Sequence, residues 1–146
     1  MSVASAPPVL SLKDVVSGYR ELTVLKGISF DVAPGAFVTV VGPTGHGKST
    51  LLKTISGLVP LTGGSMAIDG RPAPDKPHGI AALGVAHVPQ GDMLFPEMSV
   101  LENLLMGAYL LPSNAEVKRR LDEVYTLLPK LADRRGQIAS SLSGGE

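Results

Sequence analysis

The sequence has no cysteine and no tryptophan, and three Phe and three Tyr are the only aromatic residues among its 146 positions. The lack of cysteine excludes disulfide bonds and is compatible with a reducing compartment. Six aromatic side chains are too few for the stacking platforms on which proteins bind single-stranded nucleic acid. At this length the chain is long enough to bury one hydrophobic core.

The chain also has no net charge and no long apolar run. Thirteen Lys and Arg balance thirteen Asp and Glu, and no basic run marks a surface for nucleic acid or lipid. No apolar run approaches the roughly 18 residues of a membrane-spanning helix, and the start of the chain lacks the pattern of an export signal. We therefore expect an α/β domain with no nucleic-acid partner, and any association with a membrane would come through another protein.

Residues 42–49 read Gly-Pro-Thr-Gly-His-Gly-Lys-Ser, which is the phosphate-loop pattern of a nucleotide-binding protein. The glycines let the backbone turn tightly and approach phosphate oxygens with no Cβ in the way. Lys48 can reach the β- and γ-phosphates as a mobile charge, and the Ser49 hydroxyl can hold Mg²⁺. The pattern predicts nucleotide binding, but kinases, GTPases, helicases and transport ATPases all share it.

The residues around the loop fit this interpretation. The apolar run Phe37–Val41 predicts a buried strand before the loop, and residues 48–56 predict a helix that stops at Gly57. A strand, loop and helix in this order aim the positive end of the helix dipole at an anion.

The chain ends Leu142-Ser143-Gly144-Gly145-Glu146. Together with the phosphate loop, this ending resembles the ATP-binding subunits of ABC transporters, whose signature motif is Leu-Ser-Gly-Gly-Gln; Glu146 stands at the glutamine position. The resemblance implies an α/β P-loop NTPase of ABC type that is incomplete at its C-terminus. It implies a β-rich core with the phosphate loop over 9–90, a mainly helical subdomain over 91–140 and the signature over 142–146, while the small and proline-containing residues at the start predict a flexible tail over 1–8.

The resemblance also implies ATP and Mg²⁺ as ligands. Tyr19 stands where the family places an aromatic that stacks on adenine, and Gln90 matches the glutamine that touches the metal and the attacking water. Lys48 and Gln90 are the implied catalytic residues, and Ser49 and Gln90 the implied Mg²⁺ ligands. The implied ATP-binding residues are Tyr19, Gly42, Pro43, Thr44, Gly45, His46, Gly47, Lys48, Ser49 and Thr50, and, toward ATP held by a partner subunit, Ser143, Gly144, Gly145 and Glu146.

Two segments narrow the resemblance. Residues 88–91 and 95–104 resemble the corresponding segments of the smaller ATPase of importers for branched-chain amino acids. The ATPases of urea importers have similar sequences there. The implied partners are membrane-spanning permease subunits and a second ATPase subunit, at the cytoplasmic face of the cell membrane. Thr44 and His46 depart from the commonest family residues, at positions whose side chains do not contact phosphate. His46 can either add a weak, pH-dependent phosphate contact or point to solvent.

The family's later catalytic residues are not in this sequence. An apolar strand ending in aspartate, the following glutamate and a switch histidine all come after the signature, so the chain looks like the front portion of a longer protein. We expect it to bind ATP without turning it over. The strand with the aspartate would lie beside Phe37–Val41, so we expect this run to be an unpaired apolar edge and the chain to be poorly stable and prone to aggregate.

Two other function classes remain as alternatives. The fragment can act as it stands, as a binding module that does not hydrolyse nucleotide. It can also be a phosphate-loop kinase or GTPase unrelated to transport. The signature-like ending and Gln90 argue against the second of these, and the Asn-Lys-x-Asp motif with which GTPases read their base does not occur.

The remaining sequence patterns predict the secondary structure of the rest of the chain in outline. Alternating apolar residues predict strands over 9–16 and 27–32, and a short strand over 65–68. Residues 81–88 predict the end of a helix and then a strand, with His87 as a packed histidine. Ser99 with Glu102, and Ser113 with Glu116, are candidate capping boxes. One apolar face of an amphipathic helix is predicted from Val117, Leu121, Val124, Leu128 and Leu131.

Overall fold

The structure is a computed structural model that describes residues 6–91 and 94–143. The chain divides into two compact units, Met1–Val88 and Pro89–Glu146. The first contains the sheet and the phosphate loop, and the second is helical.

The first unit is built on a four-stranded antiparallel sheet with the strand order β2-β1-β3-β4. The predicted strands over 9–16, 27–32 and 65–68 are confirmed, and each is longer than the sequence pattern indicated. The predicted helix after the phosphate loop is also confirmed. The elements of this unit are β1 (Leu10–Tyr19), β2 (Leu22–Val32), α1 (Lys48–Ile55), β3 (Leu61–Ile68), β4 (Arg71–Pro72) and α2 (Pro77–Ala82).

Helix α1 packs on this sheet, where its Leu51 joins Leu12, Val15 and Leu25 in one buried cluster. Leu12 and Val15 are three residues apart, and the register shift between them brings both to the same cluster, which regular strand alternation would not do. Burying each such side chain contributes about 1.5–3 kcal/mol to the free energy of folding. A second cluster contains Met66, Ile68 and Ile80 and joins β3 to α2. The phosphate loop therefore leads into a helix that is fixed to the sheet.

A bulge bends the centre of β1. The register of β1 with β3 shifts between Lys13 and Val16, where Asp14 has a positive φ of 49°. The Asp14 amide donates to Ser29 Oγ at 2.8 Å, which satisfies a backbone group that the bulge takes out of the ladder. Opposite the bulge, Gly64 has a φ of 76°, and a Cβ on it would lie 2.2 Å from the Asp14 carbonyl oxygen. Only glycine fits there.

The prediction of a buried strand over Phe37–Val41 is wrong. These residues belong to no strand, and Phe37 and Val41 are 95% and 83% exposed. A strand needs a hydrogen-bonded neighbour, and none of the strands in the described part of the chain pairs with this run. The run is exposed and apolar, as expected for a segment without a neighbouring strand. Aggregation remains a prediction.

The strand predicted within residues 81–88 is likewise absent. Helix α2 ends at Ala82, as the pattern indicated, but residues 85–89 form no strand, and Val88 is 90% exposed. His87 is half-buried. The apolar pattern that suggested this strand is local, whereas pairing depends on a neighbour that local sequence does not specify.

The second unit contains three α-helices and one 3-10 turn within its described residues. They are α3 (Val100–Gly107), α4 (Asn114–Leu127), α5 (Pro129–Asp133) and the turn Ala139–Ser141. None of the helices in residues 6–91 and 94–143 has the length and hydropathy needed to cross a bilayer. Asn103 of α3 fixes the preceding loop, because its side chain accepts from the Phe95 amide at 2.9 Å and donates to the carbonyls of Phe95 and Ser99.

The first capping box is confirmed and the second is only half formed. Ser99 Oγ accepts from the Glu102 amide, and the Glu102 carboxylate accepts from the Ser99 amide at 2.7 Å. These hydrogen bonds to Ser99 lower the pKa of Glu102. Ser113 Oγ accepts from the Glu116 amide at 3.2 Å, but the Glu116 carboxylate pairs instead with the guanidinium groups of Arg119 and Arg120.

The predicted amphipathic helix is two helices. Leu128 leaves the helical conformation, with φ −130° and ψ 71°, and Pro129 begins α5. Proline lacks an amide hydrogen and disfavours a helical residue before it, so the break falls at this pair.

Candidate functional site: the phosphate loop

The glycines of the phosphate loop adopt backbone conformations that other residues rarely reach. Gly42, Gly45 and Gly47 have φ values of 151°, 85° and 83°. The left-handed region costs other L-residues about 1–2 kcal/mol each. The loop in this form therefore requires the glycine spacing of the motif, as expected for a loop whose backbone approaches phosphate oxygens.

The phosphate loop leads directly into α1, and no side chain caps the N-terminus of this helix. Gly47 is the N-cap residue and makes no side-chain hydrogen bond. The first bond of the helix joins the Leu51 amide to the Gly47 carbonyl at 2.8 Å, so the amides of Lys48, Ser49 and Thr50 precede it. Such amides, together with the helix dipole, favour an anion at this end. The loop and the helix start thus provide several donors for phosphate oxygens.

The Lys48 side chain folds back over the loop. Its ammonium nitrogen donates to the carbonyl oxygens of Gly42 and Pro43, at 2.8 and 2.7 Å. Both acceptors are neutral, so the positive charge stays available to a phosphate group that approaches the loop. Lys48 is the cation that the structure places directly at the loop.

A buried network holds α1 on the sheet behind the loop. Ser17 Oγ lies 2.8 Å from Thr54 Oγ1 and donates to the Pro60 carbonyl, while Thr54 Oγ1 bonds to the Thr50 carbonyl. Ser17 and Thr54 are fully buried. Sequence reasoning did not find this network, because two small polar residues 37 positions apart give no local signal. It fixes the helix whose first turn forms the site.

The end of the loop also packs on β2. A Cβ on Gly47 would lie 3.1 Å from Val24 Cγ1 and 3.2 Å from Leu25 Cδ2. Glycine is therefore required at position 47 for two reasons: its backbone conformation and the close approach of Val24 and Leu25. The contact fixes the N-terminus of α1 relative to the strand that follows Tyr19 in the chain.

Ser49, the predicted Mg²⁺ ligand in the loop, and its neighbour Thr50 differ in solvent exposure. Ser49 is exposed on the first turn of α1, whereas Thr50 is buried and can offer only its backbone. A hydroxyl next to bound phosphate oxygens suits Mg²⁺, which prefers oxygen ligands and keeps several waters. Ser49 therefore fits the metal. No group of three or more His, Asp or Glu side chains within residues 6–91 and 94–143 could hold a metal ion by itself.

Tyr19 is the last residue of β1, in the same unit as the loop. It pairs with Leu22 across a tight turn in which Arg20 has a positive φ of 50°. Its side chain is 45% exposed, so part of the ring is open to a planar ligand. Stacking on adenine remains a prediction.

We expect Tyr19→Ala to weaken ATP binding and Tyr19→Phe to leave it nearly unchanged. Stacking uses the ring face, and it contributes about 1 kcal/mol beyond buried area, or roughly fivefold in affinity. Calorimetric titration of Mg-ATP into both variants measures the difference. A loss in Tyr19→Phe as large as in Tyr19→Ala would show that the hydroxyl matters and that stacking is the wrong role.

The other predicted site residues belong to the second unit. Gln90 is exposed and lies outside its helices. Ser143 is the last residue of the signature that the structure describes. Gly144, Gly145 and Glu146, the other predicted contacts to ATP in a partner subunit, lie outside the described residues.

Comparison with known proteins decides the family. The family model described as "ABC transporter" matches residues 25–146, which include the whole phosphate loop. The chain belongs to the ABC transporter family. Its fold is that of an ABC-type ATP-binding cassette, an α/β P-loop domain: a solved ATP-binding subunit of an ABC transporter superposes with a TM-score of 0.79 at 31% identity, over 94% of this chain and 57% of that one.

Individual ABC relatives are named for the transport of different solutes. The chain is 39% identical over 131 residues to a probable branched-chain amino acid transport ATP-binding protein, LivF, of Archaeoglobus fulgidus, covering 89% of this chain and 55% of that protein. It is also 39% identical over 138 residues to an alpha-glucoside transport ATP-binding protein, AglK, of Rhizobium meliloti, covering 94% and 37%. The chain thus spans about half or less of the length of these relatives.

Proposed function

We propose that this chain is the nucleotide-binding part of an ABC importer ATPase, and that it binds ATP with Mg²⁺ at residues 42–50. The observation that carries the proposal is the phosphate loop itself. Its glycines have the required φ values, its three leading amides precede the first helical bond, and Lys48 reaches over it. A nucleotide's phosphate chain meets all of these requirements.

Each loop residue has a role in this proposal. The amides of Lys48, Ser49 and Thr50 donate to phosphate oxygens, and the Lys48 ammonium moves from the Gly42 and Pro43 carbonyls to the β- and γ-phosphates. The Ser49 hydroxyl holds Mg²⁺, which neutralises charge on the same phosphates when bound. Tyr19 stacks on adenine. These residues bind and position the nucleotide.

Turnover needs more than this loop. Phosphoryl transfer depends on orienting a water in line with the γ-phosphate and on stabilising the charge that develops. We propose Gln90 as one residue that touches the metal and this water. We do not propose Asp122 or Glu123 as the base, because both are exposed on α4 and Glu123 pairs with Arg119. We therefore expect this chain alone to bind ATP and to release no phosphate.

The proposed partners are a second ATPase subunit and membrane-spanning permease subunits. Ser143, Gly144, Gly145 and Glu146 would contact ATP held on the partner's loop, so two loops and two signatures would enclose two nucleotides. Through the permease the protein would lie at the cytoplasmic face of the cell membrane. The resemblance of residues 88–91 and 95–104 to importer ATPases supports this arrangement.

Branched-chain amino acids are the cargo we propose. The support is the sequence of residues 88–91 and 95–104, together with relatives named for branched-chain amino acid transport. Relatives at similar identity are named for alpha-glucoside and sn-glycerol-3-phosphate transport, so cargo needs its own test. An ATPase of this kind does not contact the solute, and the permease and an external binding protein select it.

Uptake by the intact system tests the cargo. The complete ATPase and its permease subunits would be reconstituted in vesicles, and ATP-dependent uptake of labelled leucine, urea and an alpha-glucoside would be compared. We expect leucine uptake that Lys48→Ala abolishes. Uptake of urea or glucoside instead would reject the proposed cargo while leaving ATP binding intact.

A further inference from the structure

Two fully buried hydroxyl groups join the sheet to the helix that follows the phosphate loop. Ser17 of β1 and Thr54 of α1 are completely covered, and their side-chain oxygens lie 2.8 Å apart. Each hydroxyl has one proton and two lone pairs, so the pair can be linked in either direction. The pair therefore forms a polar cross-link between β1 and α1, in addition to the apolar contacts of the core.

One end of this cross-link leads to the phosphate loop. Thr54 Oγ1 donates to the Thr50 carbonyl at 2.8 Å, and Thr50 lies in the first turn of α1. The residue of β2 opposite Ser17 is Leu25, and a Cβ on Gly47 would lie 3.2 Å from Leu25 Cδ2. Through these two contacts Ser17 is linked to the part of the loop in which α1 begins.

The other end of the cross-link leads to Tyr19, the residue proposed to stack on adenine. Only Gly18 separates Ser17 from Tyr19 along β1. A Cβ on Gly18 would lie 1.9 Å from the Leu22 carbonyl oxygen, so the backbone is packed tightly against the turn at this point. A shift of Ser17 relative to α1 would therefore move Tyr19 relative to the phosphate loop.

We propose that Ser17 and Thr54 are positioning residues for nucleotide binding. They touch no ligand, but their hydrogen bond holds Tyr19 in place relative to the phosphate loop, so that one ATP reaches both. The inference rests on the proposed function, because it requires adenine on Tyr19 and phosphates in the loop. A ligand whose two ends bind separate elements gains affinity when those elements are already fixed. A loosened cross-link therefore costs the adenine contact and spares the phosphate contacts.

Two substitutions remove the cross-link without leaving a buried hydroxyl unpaired. In Ser17→Ala the Thr54 hydroxyl keeps its acceptor, the Thr50 carbonyl. In Thr54→Val the Ser17 hydroxyl keeps its acceptor, the Pro60 carbonyl, at 2.8 Å. Both variants are expected to fold, because the large cost of such changes comes from an unsatisfied buried donor. Thr54→Ser keeps the hydroxyl and is the conservative rescue. Ser56→Ala is the matched control, since that hydroxyl donates at 2.8 Å to a carbonyl of α1 itself.

A double-mutant cycle with Tyr19→Ala tests the cross-link. Mg-ATP and Mg-tripolyphosphate, which has a phosphate chain and no adenine, are titrated by calorimetry into each protein. Urea denaturation confirms that each protein is folded at the titration temperature. The measured quantity is the ratio of affinities between two proteins for the same ligand, so the different charges of the two ligands do not enter.

Tyr19→Ala alone is expected to reduce ATP affinity about fivefold, the value of a stacking contact. Ser17→Ala and Thr54→Val are each expected to reduce it about three- to fivefold, and adding Tyr19→Ala to either costs less than about twofold more, because coupled residues are not additive. Thr54→Ser and Ser56→Ala stay within about twofold of the unmodified chain for ATP, and Ser17→Ala does so for tripolyphosphate.

Equal costs of Tyr19→Ala in the unmodified chain and in Ser17→Ala would overturn the proposal, because a purely structural network leaves the two residues additive. A loss of tripolyphosphate affinity as large as the loss of ATP affinity would also overturn it, since the network would then act on the loop alone. If Tyr19→Ala has no effect in the unmodified chain, this proposal and the adenine contact both fail while phosphate binding stands. Binding of neither ligand by the folded chain rejects the proposed function as well.

Discussion

Replacing Lys48 with alanine is expected to reduce ATP affinity about ten- to hundredfold. The ammonium group is the cation placed on the loop, within 2.8 Å of the Gly42 and Pro43 carbonyls. A charge-assisted contact to phosphate contributes about 1.5–3 kcal/mol, which corresponds to that range of affinity. Calorimetric titration of Mg-ATP into the unmodified chain and the variant measures the effect.

Lys53→Ala is the matched control for this experiment. It removes a lysine of the same charge from the same helix, at an exposed position in its last turn. We expect its ATP affinity to stay within about twofold of the unmodified chain, because exposed charges away from the ligand contribute little. His46→Ala should also cost much less ATP affinity than Lys48→Ala, because the exposed His46 ring offers at most a water-exposed contact. Equal losses in Lys48→Ala and Lys53→Ala would show that the loop does not bind the phosphates.

Replacing Gly64 with alanine is expected to lower the free energy of unfolding by about 2–5 kcal/mol. The positive φ strains any other residue by about 1–2 kcal/mol, and the new Cβ adds an overpacking cost of about 1–3 kcal/mol. The overpacking arises because that Cβ would lie 2.2 Å from the Asp14 carbonyl oxygen and 2.4 Å from the Lys13 carbonyl oxygen. Urea denaturation followed by circular dichroism measures the loss.

Comparison with Gly70→Ala separates the cost of backbone strain from the cost of the steric clash. Gly70 has a similar φ, 72°, but a Cβ there meets nothing within 4 Å. We therefore expect it to cost only the conformational part, about 1–2 kcal/mol. If both variants lose the same stability, the close approach at the β1 bulge does not exist in solution, and the register shift between β1 and β3 would need revision.

The parts of the site that are local in sequence could be predicted, and the parts that depend on distant residues could not. The phosphate loop and α1 follow from glycine conformation and from helix signals within 16 residues, 42–57. Phe37–Val41 has a strand's composition, yet whether it becomes a strand depends on a neighbour elsewhere in the chain. The network of Ser17 and Thr54 is equally non-local.

The wrong prediction of a single amphipathic helix has a cause that is visible in the sequence. The apolar spacing from Val117 to Leu131 suggested a single helix, but Pro129 stands inside that pattern, and proline ends a helix at the residue before it. The half-formed capping box at Ser113 has a competing cause, since Arg119 and Arg120 lie three and four residues beyond Glu116, where helical side chains meet. In both cases a second local rule overrides the first.

The central claim is that residues 42–50 bind the phosphate chain of ATP, and titration of the unmodified chain with Mg-ATP and with AMP tests it most directly. The two ligands share adenine and ribose, so Tyr19 can stack on both, but AMP lacks the β- and γ-phosphates that Lys48 and the loop amides are proposed to bind. We expect ATP to bind at least about tenfold more tightly than AMP, the value of one charge-assisted contact. Equal affinities for ATP and AMP, or no binding of either by the folded chain, would contradict the claim.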